Sequence, residues 1–345
     1  MKGKIVKDAL KVLRKNKPDL IARNKVRRTG IGFKIKNGKV TDEVGIVIFV
    51  RYKPSVEALL EQRTEPVPKE IEGYKTDIIN IPTGFTPRLS PLLLTSVLPD
   101  DLRHRPFSGG VAIINSTGEP ATGTLGLIVN RSGGSSNKLY AITNNHVGAN
   151  EDVEGLSTPS ARKGDPITQP GAHGGGRVPG DVIANLSEWN KLKPSSPTNV
   201  NYYDFAMAEI TTESTEMARP YEVMDIGKVR GIEDIQLGDK VMKRGRTTQK
   251  TIGRVTAVAV ETTVDYQGYP CNFVDQVAIT GIPETTPFSL PGDSGSVIVS
   301  ADKNSRSNSY GVKALLFAGG RGDDGIDHTI ASPIGRIADD FDLKI

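Results

Sequence analysis

From about residue 107 to its end the chain breaks into short apolar runs, each closed by Gly, Pro, Asn or Asp. That punctuation restricts the possible folds more than any other feature of the sequence. Residues 123–129, 139–143, 241–243, 253–260, 273–280, 296–299 and 312–317 are strand-sized and rich in β-branched and aromatic side chains. The 37 glycines and 22 prolines supply the turns between them. Short strands at regular spacing build a barrel or sandwich and not a series of βαβ units. Residues 123–129 and 139–143 suit a hairpin around Ser132-Gly-Gly-Ser.

The first 82 residues follow another pattern. Residues 3–16 set Ile5, Ala9, Val12 and Leu13 at helical spacing, and Pro18 lies where such a helix should stop. The stretch Gly30-Ile-Gly-Phe-Lys-Ile-Lys and the apolar run 44–50 read as strands, with the turn signal Asn37-Gly38 between them. A capped helix opening at Ser55 and a strand over 76–81 complete a small α+β module of ββαβ order. The expected division is 1–82 for this module, 83–220 for a first β-barrel and 221–345 for a second. A Pro-rich connection with Pro82, Pro87, Pro91, Pro99 and Pro106 joins module to barrels.

Charge is uneven. Residues 1–30 hold eleven Lys or Arg against two Asp, whereas the whole chain carries only +4. A basic arm over 1–28 could touch a polyanion, although a solvated helix face with a flexible leader explains it as simply. Cys271 is the only cysteine, which excludes an intrachain disulfide. The apolar runs are too short to span a bilayer, and the first residues lack the unbroken apolar core of a signal peptide. The expected location is therefore cytoplasmic, with no membrane contact. No spacing of ligands suggests a metal, and no motif suggests a cofactor.

One constellation carries chemistry. Acyl transfer by a serine needs a hydroxyl, a base and oxyanion donors. Pro291-Gly-Asp-Ser-Gly-Ser before an apolar strand supplies Ser294 as nucleophile and the amides of Gly292 and Ser294 as donors. His146 ends the apolar run Ala141-Ile-Thr and a short polar turn, a place that holds an imidazole at a barrel rim. Asp204 opens the alternating run Asp204-Phe-Ala-Met-Ala-Glu-Ile and is the carboxylate expected to orient His146; Asp181, before Val182-Ile-Ala, is its rival. The order His146, Asp204, Ser294, with gaps of 58 and 90 residues, leaves His and Asp in one barrel and Ser in the next.

On these residues the chain resembles trypsin-like, chymotrypsin-fold serine peptidases of a bacterial type related to the plant narrow-leaf protein family. The resemblance covers about residues 95–345. It rests on Thr143-Asn-Asn-His-Val, Asp204-Phe-Ala-Met-Ala and Gly292-Asp-Ser-Gly. Lys243-Arg-Gly-Arg-Thr-Thr, Leu316-Phe-Ala-Gly-Gly and Ala331-Ser-Pro-Ile are further signatures. It implies a mainly β, chymotrypsin-like double β-barrel preceded by the α+β module, and serine endopeptidase activity on a protein or peptide substrate. A catalytically silent scaffold that binds peptides or nucleic acid is the alternative on the same fold. Asp293 is expected to pin the nucleophile loop from behind, against a partner that no motif names. Phe288, Ser289, Ala318, Gly319 and His328 fall where the resemblance places the side-chain pocket. Phe288-Ser-Leu offers no acid for Lys or Arg, so a basic preference is not expected, whereas His328 would favour an acidic or polar residue. The module is expected to control access or drive homo-oligomer assembly.

Overall fold

The apolar stripe of the first helix runs past the proline expected to end it. In the computed structural model, which describes residues 2–62, 64–91, 101–119, 121–132, 138–156, 161–305 and 307–345, α1 spans Lys2–Asn24 with Pro18 inside. A mid-helix proline costs one backbone hydrogen bond and about 3 kcal/mol. The helix tolerates this because Leu20 continues the stripe of Ala9 and Leu13, and all three are buried with Ile31, Ile46 and Ile48. The basic arm is thus a docked helix and not a flexible leader. Its cations are partly paired already, Lys11 with Asp8 at 3.7 Å, Lys15 with Glu72 at 2.8 Å and Lys17 with Glu261 at 2.7 Å.

Strands β1 (Thr29–Lys36) and β2 (Lys39–Val50) form the expected hairpin. Asn37 and Gly38 both adopt positive φ, 51° and 69°, as a tight turn between right-twisted strands requires. The chain then crosses through α2 (Val56–Glu61) to β3 (Tyr74–Asn80), which pairs parallel to β2. The ββαβ order is therefore present. The module is not set apart, however: β1 pairs antiparallel with a long strand of the C-terminal half, Ile31 opposite Val258.

Two closed rings follow. The first contains β4 (Ala112–Asn115), β5 (Ala121–Thr124), β6 (Leu127–Arg131), β7 (Tyr140–Thr143), β8 (Pro166–Thr168), β9 (Val182–Trp189) and β10 (Ala206–Ile210). Pairing runs β5–β4–β8–β9–β10–β7–β6, and β5 continues into β6 through Leu125 and Gly126, which closes the circle. The hairpin β6–β7 forms as expected; its tip, 133–137, lies outside the described residues, as does Pro99. The second ring contains β11 (Lys240–Gly245), β12 (Gln249–Tyr266), β13 (Tyr269–Gly281), β14 (Val297–Ser300), β15 (Tyr310–Arg321) and β16 (Asp327–Pro333). Here β12–β11–β14–β15–β16–β13–β12 is antiparallel at every step. The fold is mainly β, a double barrel behind an N-terminal helix.

Leu127, Val129, Phe205 and Met207 of the first ring share one buried cluster with Met242, Val297, Val299 and Leu315 of the second. α3 (Ile334–Asp340) adds Ile334 and Ile337 to that cluster. Among the described residues no helix is long and apolar enough to cross a membrane. In the glycine-rich loop 169–176, Gln169 and His173 are buried. Its glycines allow contact: a Cβ on Gly174 would lie 1.8 Å from the Asp101 carbonyl oxygen.

Candidate active site

Strand register explains why His146 and Asp204 meet. Antiparallel pairing sets Thr143 of β7 opposite Ala206 of β10, so the residues just beyond them share one rim of the first barrel. His146 lies on a helical turn, Asn145–Gly148, immediately after β7. Its Nδ1 is 2.6 Å from Asp204 Oδ2, and both side chains are fully buried. The backbone N–H of His146 donates to Asp204 Oδ1 at 3.3 Å, and Asn144 Nδ2 donates to the Asp204 carbonyl at 2.8 Å. The rival, Asp181, instead holds Arg103 at 3.0 Å and the Arg177 amide.

A third group on Asp204 escaped the sequence reading. Tyr266, at the end of β12, donates its hydroxyl to Asp204 Oδ2 at 2.7 Å. Burial, and then the neighbouring carboxylate, push the Tyr266 pKa well above its usual value, so the phenol remains a donor. An alternating strand end gives no sign of such a contact across barrels. Cys271 lies within β13 and is buried in the same cluster as Tyr266. Burial, followed by Asp204, pushes its thiol up to about 12, which leaves it protonated and unreactive.

The Ser294 loop joins β13 to β14 and is docked on the first barrel. Thr124 of β5 donates its amide to the Ser294 carbonyl at 2.8 Å and its hydroxyl to the Gly292 carbonyl at 2.8 Å. Gly295 has φ of 95°, and a Cβ there would lie 2.2 Å from the Thr124 oxygen and 2.3 Å from Thr143 Oγ1. The loop therefore meets the strand that carries His146. Ser294 Oγ donates to the Phe317 carbonyl at 3.1 Å, while His146 Nε2 has no hydrogen-bond partner among the described residues. The amides of Gly292 and Ser294 converge on one oxygen, the carbonyl of Arg88, at 2.5 and 3.1 Å.

Asp293 now has its partner. Lys243 of β11 reaches it at 3.3 Å with both side chains fully buried. The amides of Leu290 (2.9 Å), Thr247 (2.8 Å) and Thr248 (3.1 Å) also donate to the carboxylate, as does the Thr248 hydroxyl at 2.7 Å. Burial pushes the Asp293 pKa up, but Lys243 and these donors outweigh it and hold it below the usual carboxylate range. Thus the nucleophile loop is pinned from behind by a carboxylate tied to the lysine of Lys243-Arg-Gly-Arg-Thr-Thr.

The side-chain pocket departs from expectation. Strand alternation in β16 turns Asp327 and Thr329 to one face and His328 to the other. Thr329 Oγ1 meets Ser289 Oγ at 2.7 Å, and Asp327 Oδ2 is 2.6 Å from Arg88 Nη2. His328 faces Phe49 of β2, with ring centroids 6.2 Å apart, and its Nε2 is 3.9 Å from Asp324. His328 therefore lies on the face away from Ser289, and Asp327 shares the face of Thr329 that meets Ser289. Phe288 belongs to the second barrel's core with Val241 and Ile279. Ala318 and Gly319 lie opposite Pro87 and Thr86.

Comparison with known proteins gives one family match, to the Nal1 C-terminal domain over residues 199–326. The protein NARROW LEAF 1 of rice (Oryza sativa subsp. japonica) is 28% identical over 292 residues, 79% of this chain and 47% of the rice protein. The chain thus spans about half the length of that relative. Among solved structures, Thermobifida fusca Protease A is similar at 15% identity and a TM-score of 0.44, over 69% of this chain and 96% of that one. Cellulomonas bogoriensis chymotrypsin is similar at 17% and 0.43, over 69% and 97%. The match to the Nal1 C-terminal domain includes Asp204, Tyr266, Asp293 and Ser294, while His146 and Arg88 precede it.

Proposed function

We propose that this chain is a serine endopeptidase of the chymotrypsin-like kind, which hydrolyses peptide bonds through an acyl-enzyme. The observation that carries this reading is the convergence of two backbone N–H groups on a single oxygen next to Ser294, within hydrogen-bond reach of both. Such a pair is what the developing oxyanion of acyl transfer needs, and each donor contributes about 3 kcal/mol to the barrier.

In this reading Ser294 Oγ leaves the Phe317 carbonyl, turns to His146 Nε2 and attacks the substrate carbonyl carbon. His146 takes the hydroxyl proton and returns it to the leaving amine, after which water repeats the sequence on the ester. Asp204 accepts from Nδ1–H, fixes the tautomer and stabilises the imidazolium. Tyr266 is a positioning residue that holds the Asp204 carboxylate. Asp293 and Lys243 keep the amides of Gly292 and Ser294 pointing into one place.

Two measurements test this. A fluorophosphonate should attach to Ser294, located by peptide mass spectrometry, in the full chain and not in Ser294→Ala. A folded chain that stays unlabelled at Ser294 even when the Arg88 carbonyl no longer occupies the Gly292 and Ser294 amides would be a silent scaffold. Tyr266→Phe removes one charge-assisted hydrogen bond, worth roughly 1.5–3 kcal/mol. It should lower kcat by about tenfold or more with KM little changed, and it should shift the acid limb of the pH–rate profile. A KM effect alone would assign Tyr266 to packing.

A further inference from the structure

The segment between module and first barrel runs through the candidate active site in the manner of a bound peptide. Thr86–Pro87 pairs antiparallel with β15, Pro87 opposite Ala318 and Thr86 opposite Gly319. The Arg88 amide donates to the Phe317 carbonyl at 3.1 Å, and its carbonyl takes both loop amides. Leu89 lines a small cavity of about 50 Å³ together with His146 and Glu151. Ser90–Pro91 then pairs antiparallel with β5, Ser90 opposite Thr122. Residues 86–91 therefore cross from the second barrel to the first, with the Arg88 carbonyl on the Ser294 amide and Leu89 beside the cavity that His146 lines.

The arginine is held by fit as well as charge. Arg88 and Asp327 are 7% and 6% exposed, so this is a buried ion pair, and Arg88 is the strongest of the charges acting on the acid, ahead of His328 and Arg321. The flat guanidinium lies against the backbone of Gly319: a Cβ there would be 2.2 Å from Nε, 2.4 Å from Nη2 and 2.6 Å from Cζ. A planar, delocalised cation suits a slot walled by a peptide plane, where an ammonium does not stack. Removing the arginine would strand a buried carboxylate without its nearest counter-charge. Burial already pushes Asp327 up, against the pull of Arg88.

We propose that residues 86–91 are an inhibitory strap occupying the substrate's place, and that its anchor, Arg88, identifies arginine as the residue this cleft takes before the bond it cuts. The proposal rests on the peptidase reading of Ser294. With the strap seated, the oxyanion donors are occupied and Ser294 donates to Phe317 instead of His146, so the nucleophile is not activated. A tethered ligand acts at an effective concentration on the order of mM, so a free peptide binding in the μM range competes poorly until the strap lifts.

The test compares the intact chain with Arg88→Ala, which removes the anchor and leaves the catalytic groups in place. Fluorophosphonate labelling of Ser294 should be at least tenfold faster in Arg88→Ala. On that variant, kcat/KM for peptide amides with Arg before the reporter group should exceed that for Phe or Glu by at least a hundredfold. Arg88→Ala combined with Gly319→Ala should lose this preference and still label. Arg88→Gln, closer in size, replaces Arg88→Ala if thermal melting finds the latter unfolded. Equal labelling rates in the intact chain and the variants would overturn the strap. A released chain that labels but prefers Phe or Glu would overturn the arginine pocket. If no folded variant labels at Ser294, the peptidase reading itself fails and the proposal falls with it.

Discussion

His146→Ala should lower kcat on a small ester or peptide substrate by about a million-fold, since a triad acts as a unit and loss of its base leaves Ser294 without an acceptor. Ser294→Ala should cost about as much, and the double variant little more than either. The residue of activity, about a thousand-fold over water, would come from the Gly292 and Ser294 amides. Asp204→Asn should be severe for a different reason: an amide nitrogen facing Nδ1 favours the wrong tautomer, and Tyr266 loses its charged acceptor. Stopped or single-turnover assays on the three variants separate this from a binding defect. If His146→Ala retained a tenth of the activity, the proton would have to go elsewhere, and the mechanism would fall.

Lys243→Met should destabilise the fold more than any other single change near the site. Both Lys243 and Asp293 are without exposed surface, and removing one partner of a buried pair costs about 3–5 kcal/mol. That corresponds to a fall in Tm on the order of 10 °C. Lys243→Met together with Asp293→Asn should lose less than the sum of the two, because the charge left behind is the expensive species. The same pair gives an acid dependence. The folded-state pKa of Asp293 lies below its usual value, so its contribution is present above the unfolded carboxylate pKa. It disappears as pH falls through the depressed value. Acid should therefore loosen the loop that carries the oxyanion donors, visible as faster hydrogen exchange at residues 290–295. A Lys243→Met chain melting like the parent would mean that Asp293 is satisfied by its hydroxyl and amide donors alone.

Some of the chemistry is local and was readable. Gly292-Asp-Ser-Gly names a turn that only glycine can make at φ of 107° and 95°, so the nucleophile loop follows from composition. His146 and Asp204 follow from two apolar strands that end in polar residues. Asn37-Gly38 fixed the first hairpin in the same local way. The helix limit at Pro18 was misread because a proline rule describes an isolated helix, and burial of Leu20 against Ile31 and Ile48 is a tertiary matter. His328 faces Phe49 while Asp327 shares the face of Thr329 and Ser289, because one residue of phase in a strand exchanges the two faces.

By itself, then, the sequence determined the strand-and-turn grammar of a mainly β chain and singled out the three groups proposed for the chemistry, because that choice depends on residue type. The tertiary structure alone decided their companions. Tyr266 on Asp204, Lys243 on Asp293, and Arg88 between Asp327 and the loop amides are contacts between residues 62, 50 and more than 200 positions apart. A residue's own neighbourhood carries no record of such partners. They are selected by ring closure and by the need of each buried charge or donor to find its counterpart.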